Sequence, residues 1–280
     1  MINMSGSKYA GQFEIVLEKK NGNTVISEKR FDGLIKLSPT IHLDSEKVST
    51  YFIVGLGGGY VEGEKYKYII NLKEDSRAII TTQASTKVYK CVHGEKTQQK
   101  TVINLKKNSV LEYITDSVIL YKDAIYKQIN EIHMDESATL IYSDGITSGW
   151  CREGVEFPYS SVQLKNNVYI DNKLVLLDNL VVNPREYDVT KLGYFEGYKN
   201  FGTLLVINKN INTEVIEQLR NDIKNLNLPI CFGISELEAN GFVLRVLGDL
   251  TQNIESAVQI CHNYIRKKFL NSKELSIRKY

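Results

Sequence analysis

The residues of this chain whose types and spacing could do chemistry are mostly carboxylates. Glu62 and Glu64 sit at a glycine cluster formed by Gly57, Gly58, Gly59 and Gly63. Asp144 ends an apolar, strand-like segment, and Glu153 and Glu156 lie in the loop GWCREGVEF. Exposed turn acids are the ordinary reading of such a set. If the loops converge, however, they offer scattered oxygen ligands that bind a divalent cation weakly and exchange it readily, which suits transit and not storage. Cys91-x-His93 adds two softer ligands expected on the same side of a strand, a pair that could hold nickel, copper or zinc if His42 or a distant cysteine completed it. Two ligands are not a site, and a buried thiol beside a loop histidine is the commoner outcome. Lys87, Lys90, Lys96 and Lys100 form a modest basic cluster of the kind that usually faces solvent.

Catalytic constellations are otherwise missing from the pattern. There is no G-x-S-x-G elbow, and the four histidines, His42, His93, His133 and His262, occur in no triad-like context. Ser148 with His133 is the least unfavourable nucleophile and base pair and has no motif behind it. The expectation is that the chain is not an enzyme. The glycine cluster is not a nucleotide cradle either. A phosphate-binding loop needs a helix N-terminus after its glycines, and here Lys65 to Leu72, Arg77 to Thr82 and Thr86 to Cys91 follow with the period of strands. The glycines therefore serve strand geometry.

Composition narrows the class further. The chain has 280 residues, of which 42% are hydrophobic and 24% charged, with a formal net charge of +2, so there is no bulk bias towards nucleic acid. No apolar run approaches the roughly 18 residues of a membrane span. MINMSGSKYAGQ lacks the apolar core of a signal peptide, so a cytoplasmic protein without membrane contact is expected. The four cysteines, Cys91, Cys151, Cys231 and Cys261, are far apart and are expected to be reduced thiols. Seventeen tyrosines against the single Trp150 suit the half-buried faces of strands.

The elements that must position these residues are short apolar segments punctuated by glycine, asparagine and lysine: Phe13–Leu17, Tyr51–Val54, Tyr66–Leu72, Ala78–Thr82, Thr101–Leu105, Val110–Ile114, Ile125–Met134, Thr139–Tyr142 and Val162–Ile170. Turns are expected at Asn21-Gly22, Lys107-Asn108 and Asn166-Asn167, giving an extended antiparallel system. The fold class is mainly β. An internal echo runs through Ile70-Asn-Leu-Lys73, Ile103-Asn-Leu-Lys106 and Ile132-His-Met-Asp135, with starts 33 and then 29 residues apart. Stacked β layers would produce it, and so would ordinary hairpin recurrence. After Pro184 the pattern changes to β-α-β-β-α. Strands are expected at Gly202–Asn208, around Ile230–Ser235 and at Phe242–Leu247. An amphipathic helix is expected from Thr213, as N-cap, to Leu226, and a second from Thr251 to Phe269. The organisation expected is a β-rich body over residues 1–184 with a two-helix appendage over 185–280, integrated into one domain. The polar tail SKELSIRKY is expected to fray or to rest on a partner.

Four segments together carry a family resemblance: GGGYVEGE, TTQASTKVYK at Thr81–Lys90, LEYITDSVILYKDAIY at Leu111–Tyr126 and DGITSGWCREGVEF at Asp144–Phe157. The chain resembles, nearly end to end, the urease accessory protein UreD, also called UreH, with most of the weight on TTQASTKVYK. The resemblance implies a non-enzymatic chaperone that acts with UreF and the GTPase UreG to place nickel and a lysine carbamate into apo-urease, in a complex that is a dimer of heterotrimers. It also implies a β-helical body with two helices, a water-filled passage for nickel, no tightly bound cofactor and only transient Ni2+. Gly57, Gly58, Gly59 and Gly63 match the family's glycine motif, and Thr82, Gln83, Ala84, Lys87 and Tyr89 match the second. Where the family often has Asp after the last glycine, this chain has Glu64. Glu64, Asp144, Glu153 and Glu156 are the expected lining of a transient nickel path. Cys91 and His93 lie just beyond the motif and are weaker candidates. A β-rich protein-binding module unrelated to nickel is the competing reading.

Overall fold

The computed structural model describes residues 8–43 and 48–277. Its body is a stack of coils, each of which passes through two main sheets and touches a third. In one coil, β6 (Lys65–Leu72) leads to β7 (Arg77–Thr82) and β8 (Lys87–Val88). In the next, β9 (Thr97–Leu105) leads to β10 (Val110–Ile114) and β11 (Ile119–Leu120), and above it β12 (Ile125–Met134) leads to β13 (Thr139–Ile146). Because each coil returns to the same sheet from the same side, successive strands run parallel. β6, β9 and β12 pair in parallel in the first sheet, as do β7, β10 and β13 in the second and β8 with β11 in the third. The body is therefore mainly β and stacked, as expected, but its strand direction is not the expected antiparallel one.

The echo is the register of the stack. Ile70 lies opposite Ile103 and Ile103 opposite Ile132, so hairpin recurrence is excluded as its cause. The turns that follow are also superposed: Asp75 and Asn108 share φ of 56°, the Asn108 amide donates to the Asp75 carboxylate at 3.1 Å, and Asn104 donates to Asn71 at 2.7 Å. Side-chain ladders of this kind hold neighbouring coils in step.

Antiparallel pairing is confined to the ends. β1 (Gly11–Lys20) joins the first sheet beside β6 and turns through Asn21-Gly22, both at positive φ, into β2 (Asn23–Gly33). At the other end β14 (Ser161–Ile170) pairs with β12 and turns into β15 (Lys173–Val182). That turn is at Asp171-Asn172, at φ of 47° and 65°. The expected break at Asn166-Asn167 instead lies inside β14, because Asn166 is buried and accepts a hydrogen bond from Asn130 at 2.7 Å. In the second sheet β5 (Ser49–Gly55) runs parallel to β7 and antiparallel to the short β3 (Ile35–Leu37) and β4 (Ile41–His42).

Beyond β13 the second sheet continues through β16 (Asn200–Ile207), β18 (Gly241–Gly248) and β17 (Ile230–Leu237), all antiparallel. Helices α1 (Thr213–Asn225) and α2 (Thr251–Phe269) cover this part. Val215, Ile216, Leu219 and Ile223 of α1 and Ile254, Ala257, Val258, Cys261 and Ile265 of α2 pack on Leu204, Phe242, Leu244 and Val246. The strand period sends the alternate residues Leu205, Ile207 and Val243 into the main core between the two sheets. The N-cap of α1 is Asn212 and not Thr213: its side chain accepts from Val215 N at 3.1 Å, whereas the Thr213 hydroxyl turns to Glu236. After α2 the tail is held down as far as Ile277. Leu275 is buried against Val48 and Ile79, so the expected fraying does not occur there, and the last three residues lie outside the described residues. Among the described residues no helix is long and apolar enough to cross a membrane.

Candidate functional site

The inward positions of the coils are not uniformly apolar. Towards one end, β9 places Gln99 and Thr101 inside, β12 places Gln128 and Asn130, β14 places Asn166, and β13 places Tyr142 and Asp144, all buried. Buried polar side chains need partners, and these supply one another. The Tyr60 and Tyr68 hydroxyls are 2.5 Å apart, and Tyr60 donates to Gln99 at 3.0 Å. Tyr126 donates to Gln128 at 3.1 Å, Gln128 donates to the Tyr142 hydroxyl at 3.2 Å, and Tyr142 donates to Asp144 at 2.6 Å. A polar seam thus crosses the interior and ends on a carboxylate.

Two cavities share part of their walls at that end. One, of about 290 Å³, opens among Gly57, Gly58, Gly59 and the Gln83–Lys87 segment and reaches Tyr60, Tyr68, Gln99 and Gln128. The other, also about 290 Å³, lies beneath α2 and is walled by Ser117, Gly202, Ile254, Val258, His262 and Leu275. Thr115, Asp116 and Asp144 line both. Asp116 is fixed by Thr82, whose hydroxyl donates to its carboxylate at 3.0 Å and accepts from its backbone N–H at 3.0 Å. Asp144 is 6% exposed. Burial pushes its carboxyl up to about 6, against the hydrogen bond from Tyr142 and with some help from the charge of Asp178.

The glycines shape the mouth of the first cavity. Gly59 has φ of +153°, and a Cβ there would stand 2.6 Å from the Lys87 carbonyl oxygen. A Cβ on Gly58 would stand 3.1 Å from the Tyr89 hydroxyl, which donates to the Gly58 carbonyl at 2.8 Å. The chain between Gly57 and Gly59 is pressed against Lys87–Tyr89, so the two motifs are two sides of one contact. Their glycines do serve backbone geometry.

The other predicted ligands do not join Asp144. Glu64 accepts from Val61 N at 2.8 Å and from the Tyr66 hydroxyl at 2.6 Å, closing its own turn, and it lines neither cavity. Glu62 is held below the usual carboxylate range, despite the cost of burial, by the amides of Glu95, His93 and Val92. Glu153 and Glu156 are exposed and face Lys122 and Lys199 at 3.4 and 2.9 Å. Residues 91–93 lie beyond β8, and the expected shared side is not realised. Cys91 is buried, its thiol pushed up by burial and accepting from Ile125 N, whereas His93 is exposed. His42 is exposed as well. Among the described residues no three His, Cys, Asp or Glu side chains are grouped to hold a metal ion. Ser148 lies past the far end of β13, while His133 stacks on Tyr169 near the end of β12 where the chain turns into β13, so the two do not pair.

Two features escaped the sequence reading. Asp116 sits in an ordinary-looking ITDSV stretch, and only the paired Thr82 marks it. Glu112 is the second. It is fully buried in β10 and meets Arg77 at 2.8 Å, His262 at 2.6 Å and Arg266 at 2.6 Å. Burial opposes its charge, but the hydrogen bond from His262 and the charges of His262, Arg77 and Arg266 hold it far below the usual range. Arg77 also donates to Ser272, and Arg266 to the Lys273 carbonyl, so this cluster ties α2 and the tail to the second sheet.

Fold and site together define a stacked β scaffold with two helices and two cavities that share a pair of aspartates in their walls. The family described as UreD urease accessory protein matches residues 9–279, and the chain belongs to that family. It is 39% identical over 271 residues to the urease accessory protein UreD of Streptococcus thermophilus, covering 97% of each chain. To that of Lachnoclostridium phytofermentans it is 35% identical over 274 residues, covering 98% of this chain and all of the relative. To that of Ureaplasma parvum it is 39% identical over 253 residues, covering 89% and 88%. The chain is accordingly an accessory protein and not an enzyme.

Proposed function

We propose that this protein is a scaffold for urease maturation in the cytoplasm and that nickel passes through its interior on the way to apo-urease. In this reading it works with UreF and the GTPase UreG, assembled as a dimer of heterotrimers, and holds the ion only in transit. The observation that supports the reading best is the pair of cavities sharing Thr115, Asp116 and Asp144. A conduit must bind its ion well enough to admit it and weakly enough to release it. Two carboxylates with hydroxyls and amide oxygens nearby are ligands of that kind, whereas a closed cage of thiolates and imidazoles would retain nickel. Asp144 and Asp116 take over the role first expected of the wider set. Glu64, Glu153 and Glu156 are engaged elsewhere, and Cys91 and His93 are separated by burial.

The reading is tested by co-expressing urease and its accessory proteins with the Asp144→Asn variant and measuring nickel in the purified urease. The expected result is urease with strongly reduced nickel, while the variant chain remains folded and co-purifies with its partners. Full nickel content would remove Asp144 from the path.

A further inference from the structure

The third sheet carries an aromatic ladder on its outer face. Tyr89, after β8, meets Tyr121, after β11, edge-on with ring centroids 4.9 Å apart, and Tyr121 meets Trp150 at 4.9 Å. A parallel bridge from Tyr121 to Trp150 continues the sheet to this residue, the only tryptophan of the chain, which is 53% exposed. Val92 and Val155, in flanking loops, are more exposed still. Tyr89 and Tyr121 are half-buried beside the exposed Trp150, and tyrosine and tryptophan side by side give a large, stiff contact area that loses little conformational entropy on binding; such residues dominate the energetics of protein interfaces.

The charges around the ladder are unbalanced. Most nearby acids are occupied, Glu153 by Lys122, Glu156 by Lys199, Asp123 by Arg185, and Glu62 by three backbone amides, whereas Glu95 is exposed and makes no ion pair among the described residues. Lys87, Lys90 and Arg152 are exposed and make no ion pair among the described residues. The apolar strip is therefore rimmed by unpaired cations, and the surface complementary to it is apolar with carboxylates at its edge. The ladder is also continuous with the mouth of the first cavity, since Tyr89 holds the Gly58 carbonyl and both Gly58 and Lys87 line that mouth. An ion leaving the mouth would enter bulk water unless a protein covered the rim.

We propose that the Tyr89–Tyr121–Trp150 ladder is the face on which apo-urease docks, through apolar side chains ringed by carboxylates. The proposal rests on the maturation reading above. It is tested with p-benzoylphenylalanine placed at position 150, and separately at position 177 on the exposed part of β15, in cells that also express urease and its accessory proteins. The expected result is a photo-crosslink to urease from position 150 and none from position 177. In parallel, Tyr121→Ala and the paired reversal Lys90→Glu with Arg152→Glu weaken association with purified apo-urease about tenfold or more, while Lys165→Glu, on the first sheet, leaves it unchanged. A crosslink from 150 only to a second copy or to another accessory protein, no crosslink from 150, or unchanged association in all variants would overturn the proposal. Nickel loading of urease by the unmodified chain separates the two ideas. Loading without contact at position 150 refutes the docking face alone, and contact without loading refutes the conduit.

Discussion

Two buried carboxylates in adjacent strands of the second sheet have opposite surroundings. Glu112, on β10, faces α2 and meets two guanidinium groups and an imidazole. Asp144, on β13, faces the interior and meets a tyrosine hydroxyl at 2.6 Å and, more distantly, the Gln128 amide at 3.5 Å. The first is a fully compensated charge that fastens one layer to another. The second lies in a polar cavity with no cation among the described residues beside it, and burial pushes its carboxyl up to about 6. The same sheet thus carries a structural acid on one face and an acid open to chemistry on the other.

The largest expected effect comes from breaking the compensated side. Glu112→Ala leaves the buried Arg266 and the half-buried Arg77 without their anion, and removing one partner of such a cluster costs about 3–5 kcal/mol. Urea denaturation should show that loss, together with release of the tail, which Arg77 and Arg266 hold. A loss below 1 kcal/mol would mean that the cluster is not what fastens α2.

Asp144→Asn should act in the opposite direction. A carboxyl raised from 3.8 to about 6 disfavours the folded state at neutral pH by about 3 kcal/mol, so the neutral amide should stabilise the protein at pH 8 by up to that amount. The pH dependence has a defined sign. Between 3.8 and 6 the folded state holds a proton that the unfolded state has lost, so in the wild type this site gains stability as pH falls through 6, and the variant lacks that gain. Glu112 contributes the reverse slope. Its pKa is depressed, so its contribution is complete above the usual carboxylate range of about 4.5 and is lost as pH falls below it. Denaturation midpoints from pH 8 down to pH 2 should separate the two sites, the Asp144 slope falling above and the Glu112 slope below about 4.5.

The smallest effect refines the uncompensated side. Tyr142→Phe removes the short hydrogen bond to Asp144, which costs about 1–2 kcal/mol at neutral pH and should move the Asp144 titration upward. A carbon-13 titration of the Asp144 carboxyl in both proteins would show this. An unmoved titration would mean that another group sets its environment.

How much of this was legible beforehand follows the range of the interactions. Strand positions were readable because alternation is local, and the echo at Ile70, Ile103 and Ile132 turned out to be the register itself. Strand direction was not, since parallel coils and antiparallel hairpins share the same alternation. β2 and β15 went unrecognised because β2 (NTVISEKRFDG) is crowded with charges and β15 (KLVLLDNLVV) is apolar on both faces. Among site residues, Asp144 stood out as an acid closing an apolar strand. Glu112 did not, because its partners lie 35, 150 and 154 residues away. Glu64 looked like a ligand and is a turn-closing acceptor, a role that nearest neighbours in sequence decide but that composition cannot separate from binding.

The central claim is that the two cavities communicate at Thr115, Asp116 and Asp144 and carry nickel. Thr115→Trp tests it most directly, because residue 115 lines both cavities and an indole there would fill their junction without altering either aspartate. With the variant chain folded and still bound to its partners, the account predicts urease recovered nearly free of nickel, and urease recovered with its full nickel content would contradict it.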